Sequence, residues 1–236
     1  MKKHSKKVAQ NQEYEGYWKL TVEYSNINGT RFQNTLNLIV RYIDSHPELK
    51  NLDTDSNEFS VKYNELQNKV YSVYPKADMA STRKSINQMV KLGFVKPFLK
   101  GYHPLTKKFL NAPNNERRAL VFSEIFYKSA NFQSAVTTDD SEVNPINFFL
   151  MTLMYHPEQR LNREEIIALM STNIKDYTRG YLTIEELNSS VEYSKAIEFE
   201  NRKYNQINYM LKFLQYVPGI SVSPDKNYII YFCQQG

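Results

Sequence analysis

One short phrase occurs twice in this sequence, and the repetition limits what the chain can fold into. Residues 86–91 read Ile-Asn-Gln-Met-Val-Lys, and residues 207–212 read Ile-Asn-Tyr-Met-Leu-Lys. The same spacing separates each phrase from a following proline, Pro97 in the first case and Pro218 in the second. An apolar run that ends in His-Pro-Glu lies upstream of each phrase. Internal repetition is typical of duplicated structural units, so we predict two related modules. The alternative is two unrelated helices with similar amphipathic patterns.

The composition indicates a packed protein with an acidic partner. The chain has 236 residues, of which 41% are hydrophobic and 14% aromatic, a balance that predicts packed cores rather than disorder. The formal net charge of +5 favours binding to nucleic acid or to an anionic membrane face. The single cysteine, Cys233, cannot form an internal disulfide and suits a reducing compartment. No apolar run is long enough to span a bilayer, so we expect a cytoplasmic protein without a membrane partner.

The first 33 residues predict a basic arm followed by a strand. Residues 1–7 are rich in lysine and lead into polar residues rather than an apolar segment, so we expect no signal peptide. Two interpretations stay open for them: a solubilising tail, or an arm that lies along phosphates. Residues 17–24 alternate and are rich in β-branched and aromatic types, which predicts a strand. The arm and the strand form the first predicted region, residues 1–33.

We predict that residues 34–136 form a first winged-helix domain with a connecting helix. Apolar residues recur at helical spacing in three segments, and the third segment has a suitable cap at each end, Asp78 and Gly93. Three helices followed by a β-hairpin form the winged-helix arrangement, a relative of the helix-turn-helix. The predicted helices cover residues 35–46, 61–71, 79–92 and 120–130, and the predicted hairpin strands cover residues 94–99 and 107–110. The expected core residues of the connecting helix are Leu120, Ile125 and Phe126.

We predict that residues 137–236 form a second winged-helix domain, which begins with an acidic loop. A long helix with an apolar rhythm from Tyr193 to Leu214 precedes two strands, residues 220–222 and 228–232. The whole chain is therefore predicted to be mainly α with small β-hairpins, arranged as two tandem winged-helix domains. Two pairs of residues have capping-box spacing and predict helix starts: Asn162 with Glu165, and Thr183 with Glu186.

The polar face of the third helix is the most informative surface in the sequence. No acidic residue occurs between residues 79 and 92, whereas a solvated helix face usually mixes Lys with Glu. Arg and Lys make paired contacts to guanine, and Asn and Gln make them to adenine. Because the N-terminal part of a recognition helix meets the base edges, we predict that Arg83 contacts a base and Lys91 a phosphate. The candidate DNA-contacting residues of this helix are Thr82, Arg83, Lys84, Asn87, Gln88 and Lys91.

Further candidates lie in the second module and in the predicted wings. The matching helix of the second module carries a similar polar set, which Glu198 and Glu200 dilute with negative charge. The wings carry lysines that we expect to contact phosphates, and ordinary solvated lysines are the alternative. The candidates are Arg202, Lys203, Asn205, Gln206 and Tyr209 in the helix, and Lys100, Lys107, Lys108 and Lys226 in the wings.

No residue pattern in the sequence predicts catalysis. The four histidines are scattered and there is one cysteine, so no zinc-ligand spacing exists. His46 and His156 each precede a proline at a predicted helix end, where we expect a structural role. The sequence has no nucleophile motif, no phosphate-cradling glycine loop and no carboxylate–lysine constellation of the nuclease type. We therefore expect no metal, no cofactor and no catalytic residue in this chain.

The helix-to-wing phrase gives the chain a family resemblance. The phrase reads Arg83-Lys84-x-Ile86-Asn87 and then Leu92-Gly93-Phe94. Together with the predicted tandem winged helices and the connecting helix, it resembles the DNA-recognition part of type II restriction endonucleases, above all the FokI-like and AlwI-like enzymes. The resemblance implies sequence-specific binding of double-stranded DNA in a bacterial cytoplasm. It also implies that magnesium-dependent cleavage belongs to a separate nuclease domain or subunit.

Two other classes of protein fit the same sequence pattern. A plasmid replication initiator or a transcription regulator also uses two winged helices to bind DNA. A protein-interaction scaffold would instead pack both helices against partners and touch no DNA. Salt-dependent duplex binding separates the scaffold from the DNA-binding classes. Nuclease activity encoded next to this chain or beyond Gly236 separates the endonuclease from the initiator or regulator.

Overall fold

The computed structural model of this protein shows a mainly helical chain that divides into two compact units. The N-terminal unit is Leu20–Asn144, and the C-terminal unit is Pro145–Gly236 together with Met1–Lys19. Trp18 belongs to the C-terminal unit, where its backbone N–H donates to the carbonyl oxygen of Met170 at 2.9 Å. The structure describes Trp18, Leu20 and residues 22–75, 78–132 and 144–231, and it leaves the side chains of residues 175 and 200–206 undescribed.

The N-terminal unit begins with three amphipathic helices. They are α1 (Thr30–Ser45), α2 (Asn57–Val73) and α3 (Met79–Lys91). Ser56 caps α2 by accepting from the N–H of Phe59 at 3.1 Å, and Asp78 caps α3 by accepting from the N–H of Ser81 at 2.5 Å. The three helices predicted from periodicity are confirmed, since their apolar faces are buried. The buried apolar residues of α1 include Leu36, Ile39, Val40 and Ile43.

The predicted strands of the first wing, residues 94–99 and 107–110, are wrong. The segment after α3 is a hairpin whose two arms share one isolated bridge. Gly93 ends α3 with a φ of +87°, and a Cβ there would lie 2.7 Å from the carbonyl carbon of Ser129. Val95 and Tyr102 form a single isolated bridge. Residues 107–110, predicted as a strand, belong to a short helix, α4 (Thr106–Leu110).

Packing explains why this segment turns into a helix. Phe109 is fully buried, and its ring centroid lies 4.7 Å from that of Phe94 and 6.0 Å from that of Phe32. The Thr106 hydroxyl is also buried and donates to the carbonyl oxygen of Phe94 at 2.9 Å. Residues three apart share a face of a helix, so a helical turn directs both side chains inward. Burial of these groups outweighs the weak strand pattern of the sequence.

A fifth helix, α5 (Asn115–Ser129), matches the predicted connecting helix and extends it at the N-terminal end. Ile125 and Phe126 are fully buried, as predicted. Leu120 is 48% exposed, so its prediction as a core residue is wrong. The inward stripe runs instead through Val121 and its helical neighbours, which places Leu120 on the side that faces solvent.

Among its described residues, the C-terminal unit packs four α-helices and a short 3₁₀ helix, Ile174–Asp176, with a three-stranded antiparallel sheet. Its elements are α6 (Pro145–Tyr155), β1 (Arg160–Asn162), α7 (Arg163–Met170), α8 (Ile184–Ala196), α9 (Phe199–Leu214), β2 (Ile220–Val222) and β3 (Tyr228–Tyr231). The central strand is β3, on which Ile229 pairs with Leu161 of β1 and with Val222 of β2. Leu161 and Ile229 are fully buried, so this face of the sheet contributes to the core.

Capping boxes begin two helices of this unit, and one predicted helix is interrupted. Both predicted capping boxes are confirmed, because the caps of α7 and α8 each exchange hydrogen bonds with the glutamate three residues later. The single long helix predicted to run from Tyr193 to Leu214 is wrong. Glu198 has a φ of +51° and separates α8 from α9, because a left-handed residue breaks the helical hydrogen-bond ladder. Tyr193, which the predicted apolar rhythm included, is 58% exposed.

Candidate nucleic-acid interface

The N-terminal half of α3 presents a cationic surface. Arg83 and Lys84 are exposed, and Asn87 is half-buried one turn later on the same side of the helix. Asp78 begins this helix, and the backbone N–H of Ser81 holds the pKa of its carboxyl below the usual range. Residues 79–91 of α3 include no acid, and the N-cap Asp78, whose pKa the charge of Lys84 also lowers, is the acid that begins the helix.

The C-terminal half of α3 is enclosed, which corrects the prediction for Gln88. This side chain is fully buried. Its Oε1 accepts from the backbone N–H groups of Glu23 and Tyr24 at 2.7 and 2.9 Å, and its Nε2 donates to the carbonyl oxygen of Tyr24 at 2.5 Å. The amide thus satisfies backbone groups of this segment, as a neighbouring strand would in a sheet. Residues 17–24 were predicted as a strand, and none of those that the structure describes lies in one.

Two other candidates on α3 also lie on the buried side. Thr82 is 1% exposed, and its hydroxyl donates to the carbonyl oxygen of Asp78 at 3.3 Å. Lys91 is 6% exposed, and its carbonyl oxygen accepts from the backbone N–H of Asn131 at 2.9 Å. The prediction that Lys91 projects from the solvent side of the helix is therefore wrong. Periodicity identifies one apolar stripe, and it cannot reveal that the chain covers a second side of the same helix.

The hairpin lysines differ in how freely they face solvent. Lys100 is exposed, and its Nζ lies 5.6 Å from the ring centroid of Phe98. Lys107 instead forms a 2.8 Å ion pair with Asp44, which also accepts from the hydroxyl of Tyr102 at 2.7 Å. The hydrogen bonds from Lys107 and then from Tyr102 lower the pKa of Asp44. Lys107 thus links the hairpin region to the end of α1, while Lys108 is exposed.

The second candidate set is only partly described. The side chains of Arg202, Lys203, Asn205 and Gln206 lie outside the described residues. Tyr209 is half-buried, with the Nζ of Lys212 at 5.9 Å from its ring centroid. Lys226 lies in the turn between β2 and β3 of the predicted second wing. Its φ of +59° is left-handed backbone, which reverses the chain there.

Arg160 is an exposed cation that the sequence reasoning missed. It lies on β1, and its guanidinium carbon is 4.7 Å from the ring centroid of Tyr228 on the adjacent strand β3. Both residues lie on the face of the sheet opposite the buried Leu161 and Ile229. A strand of three residues is too short to show a detectable alternation. The sequence therefore gave no sign that Arg160 and Tyr228 lie together on one face of the sheet.

The histidines and acids provide little for metal binding in the part of the chain that the structure describes. No group of three or more His, Cys, Asp or Glu side chains there could hold a metal ion. His46 Nδ1 lies 2.8 Å from the carbonyl oxygen of Tyr42, and His156 Nε2 lies 3.4 Å from a carboxylate oxygen of Glu165. None of the described helices combines the length and apolar character needed to cross a membrane.

The fold and the surface define a mainly helical protein with a small antiparallel sheet and a cationic helix face. No protein-family model, curated protein or solved structure matches this chain. The function must therefore be argued from the geometry and charge of the residues themselves.

Proposed function

We propose that this protein binds double-stranded DNA and reads its sequence through the N-terminal half of α3. The observation that carries the proposal is the pair of exposed cations Arg83 and Lys84, with the half-buried Asn87 one turn later, on a helix whose residues 79–91 include no acid. An Arg side chain can bond to two acceptors of guanine, and an Asn side chain can pair with adenine in the major groove. Lys84 supplies a positive charge suited to a phosphate. Arg83 and Lys84 lie in the N-terminal half of α3, the part of a recognition helix that meets base edges, and Asn87 follows one turn after Arg83.

The order of elements in the C-terminal unit supports a winged-helix interpretation of that unit. A helix, a strand and further helices lead into α9, and α9 leads directly into the β2–β3 hairpin. In a winged helix, the helix before the hairpin enters the major groove and the hairpin follows the backbone. On this proposal α9 is a second recognition helix, and the turn that carries Lys226 is its wing. The N-terminal unit would be a variant whose wing is reduced to the bridge between Val95 and Tyr102.

The biological setting that we propose is restriction, with this chain as the target-recognition part of a type II endonuclease. The resemblance of the helix-to-wing phrase to FokI-like and AlwI-like recognition regions supports this setting. Cleavage would require a nuclease domain or subunit outside the residues that carry the DNA-binding surface, and magnesium would bind there. We propose no cofactor for this chain itself.

The test is a selection of binding sites from random duplex DNA, followed by affinity measurements on the selected sequence. Arg83→Ala should cost about 1–3 kcal/mol of specific binding and relax the preference at one base position. Lys84→Ala should weaken selected and random duplexes alike, because a phosphate contact carries no sequence information. Arg117→Ala, on the exposed side of α5, is the matched control. Wild-type protein that binds no duplex at low salt would disprove the proposal.

A further inference from the structure

The outer face of α1 carries polar and cationic residues that the α3 surface does not include. Arg31, Asn34, Asn37 and Arg41 recur at the spacing that places residues on one side of a helix. Residues 30–43 contain no acid. The first acid of α1 is Asp44, and it is bonded to Lys107 and Tyr102 in the N-terminal unit.

This distribution differs from that of a solvated helix face elsewhere in the same unit. The exposed side of α5 mixes signs, and there Lys128 forms a 2.9 Å ion pair with Glu124 one turn earlier. An ordinary surface helix gains solubility and small i,i+4 contributions from such mixed pairs. The face of α1 has no such pair among the described residues, so its amides and its Arg41 guanidinium stay available for a ligand.

The α1 face borders a groove that α2 completes. The groove has a volume of about 380 Å³, and Asn34, Asn37 and Arg41 line its α1 side. Lys69 lines the α2 side, with its Nζ 5.8 Å from the ring centroid of Tyr42 and 3.6 Å from a carboxylate oxygen of Glu65. The remaining lining residues are Leu38, Tyr42, Ser45 and Val73. The groove thus has cationic and amide donors along its walls, with apolar surface between them.

We propose that the α1–α2 groove binds the phosphodiester backbone of nucleic acid. Protein contacts to phosphate come from Arg, Lys and Asn side chains, which are the groups that line this groove. From Asn34 to Arg41 the helix rises about 10 Å, enough to reach successive phosphates of one strand. The charge of a polyanion complements Arg41, and Lys69 adds a second cation that shares its charge with Glu65, while the apolar floor can pack against sugars. This inference rests on the proposed DNA binding and adds a contact surface separate from α3.

The experiment measures binding to a random-sequence duplex by fluorescence anisotropy between roughly 50 and 200 mM salt. Each phosphate contact contributes about 0.9 to the slope of log affinity against log salt. Arg41→Ala should therefore reduce the slope by about 0.9 and lower the affinity about eightfold at 0.1 M salt. Arg41→Ala combined with Lys69→Ala should reduce the slope further, by less than a second full contact because Glu65 already pairs with Lys69. Arg41→Lys should retain most of the slope, because the slope follows the charge that neutralises a phosphate and releases counterions.

The controls separate failure of the groove from failure of DNA binding. Arg117→Ala removes an exposed arginine of the same unit outside the groove and should leave the slope unchanged. If the wild type binds duplex and Arg41→Ala behaves like Arg117→Ala, the groove does not hold the backbone, while the proposed function stands. An acidic protein segment would then be the better candidate for this groove. If the wild type shows no salt-dependent duplex binding, both proposals fall. Far-UV circular dichroism confirms that each variant is folded.

Discussion

The two copies of the repeated phrase form helices with the same buried side and hairpins of different structure. In α3, Ile86 and Met89 are fully buried, and in α9 the matching Ile207 and Met210 are fully buried as well. The hairpin after α3 has one isolated bridge, whereas the hairpin after α9 has two strands in a three-stranded sheet. The phrase therefore specifies the core face of a helix, and it does not specify the hairpin that follows.

The residues after the shared His-Pro-Glu tripeptide explain the difference between the hairpins. After His156 the chain enters β1, which pairs with β3 and gives the C-terminal hairpin a third strand. After His46 the chain enters a short 3₁₀ helix, Pro47–Lys50, instead of a strand. An isolated two-stranded hairpin is marginally stable in water. The N-terminal hairpin has no third strand in the described part of its unit, and side-chain contacts hold it in place.

The largest expected effect tests whether the two phrases play the same role. Ile86→Ala and Ile207→Ala should each lower the free energy of unfolding by about 2–5 kcal/mol, because each removes a fully buried side chain and leaves a cavity. Equilibrium urea denaturation measures this loss. Leu120→Ala, at an exposed apolar position, should change stability by less than about 0.5 kcal/mol. A cost below about 1 kcal/mol for one of the two isoleucines would break the equivalence of the helices.

The next effect concerns the one position of the phrase where the two copies differ in kind. Gln88 is buried and bonded to Glu23 and Tyr24, while the matching Tyr209 is half-buried. Gln88→Ala should lower the free energy of unfolding by about 1–3 kcal/mol, because it leaves backbone groups without partners. Tyr209→Ala should cost less. On the proposed function, Gln88→Ala should also keep the ratio of specific to non-specific DNA affinity. A relaxed sequence preference with unchanged stability would return Gln88 to the candidate DNA-contacting residues.

The sequence predicted those features of the fold that depend on local chemistry. Periodic apolar residues located the helices, and the caps at Asp78, Asn162 and Thr183 located three of their starts. These signals lie within a few residues of each other, so a single sequence contains them in full. The cationic half of α3 was predictable for the same reason, since Arg83 and Lys84 belong to a run without acids.

Features that depend on contacts far apart in the sequence were not predictable. Gln88 reaches a segment more than sixty residues earlier in the chain, and no local pattern distinguishes such an amide from one that faces solvent. The helix α4 forms because Phe109 packs against Phe94. Burial against a partner that the sequence does not reveal overrides weak local propensity. The break at Glu198 was not predictable either, because neither glycine nor proline marks it in the sequence.

The smallest expected effect tests what holds the N-terminal hairpin in place of a third strand. Asp44 accepts from Lys107 and Tyr102, and these bonds lower its pKa. A carboxyl with a lowered pKa in the folded state adds stability above its unfolded pKa of about 3.9 and loses it as the pH falls through the folded value. Asp44→Asn should therefore lower the free energy of unfolding at pH 7, by less than about 1 kcal/mol because the pair is exposed to solvent. Urea denaturation of the wild type and the variant from pH 7 to about pH 3 should show the difference shrinking toward the acid end.

Lys107→Met should produce a similar loss at pH 7, and adding it to Asp44→Asn should cause little further change, since both remove the same interaction. An equal difference at both ends of the pH range would mean that the charge of Asp44 does not hold the hairpin, and that the buried ring of Phe109 and its neighbours do so alone.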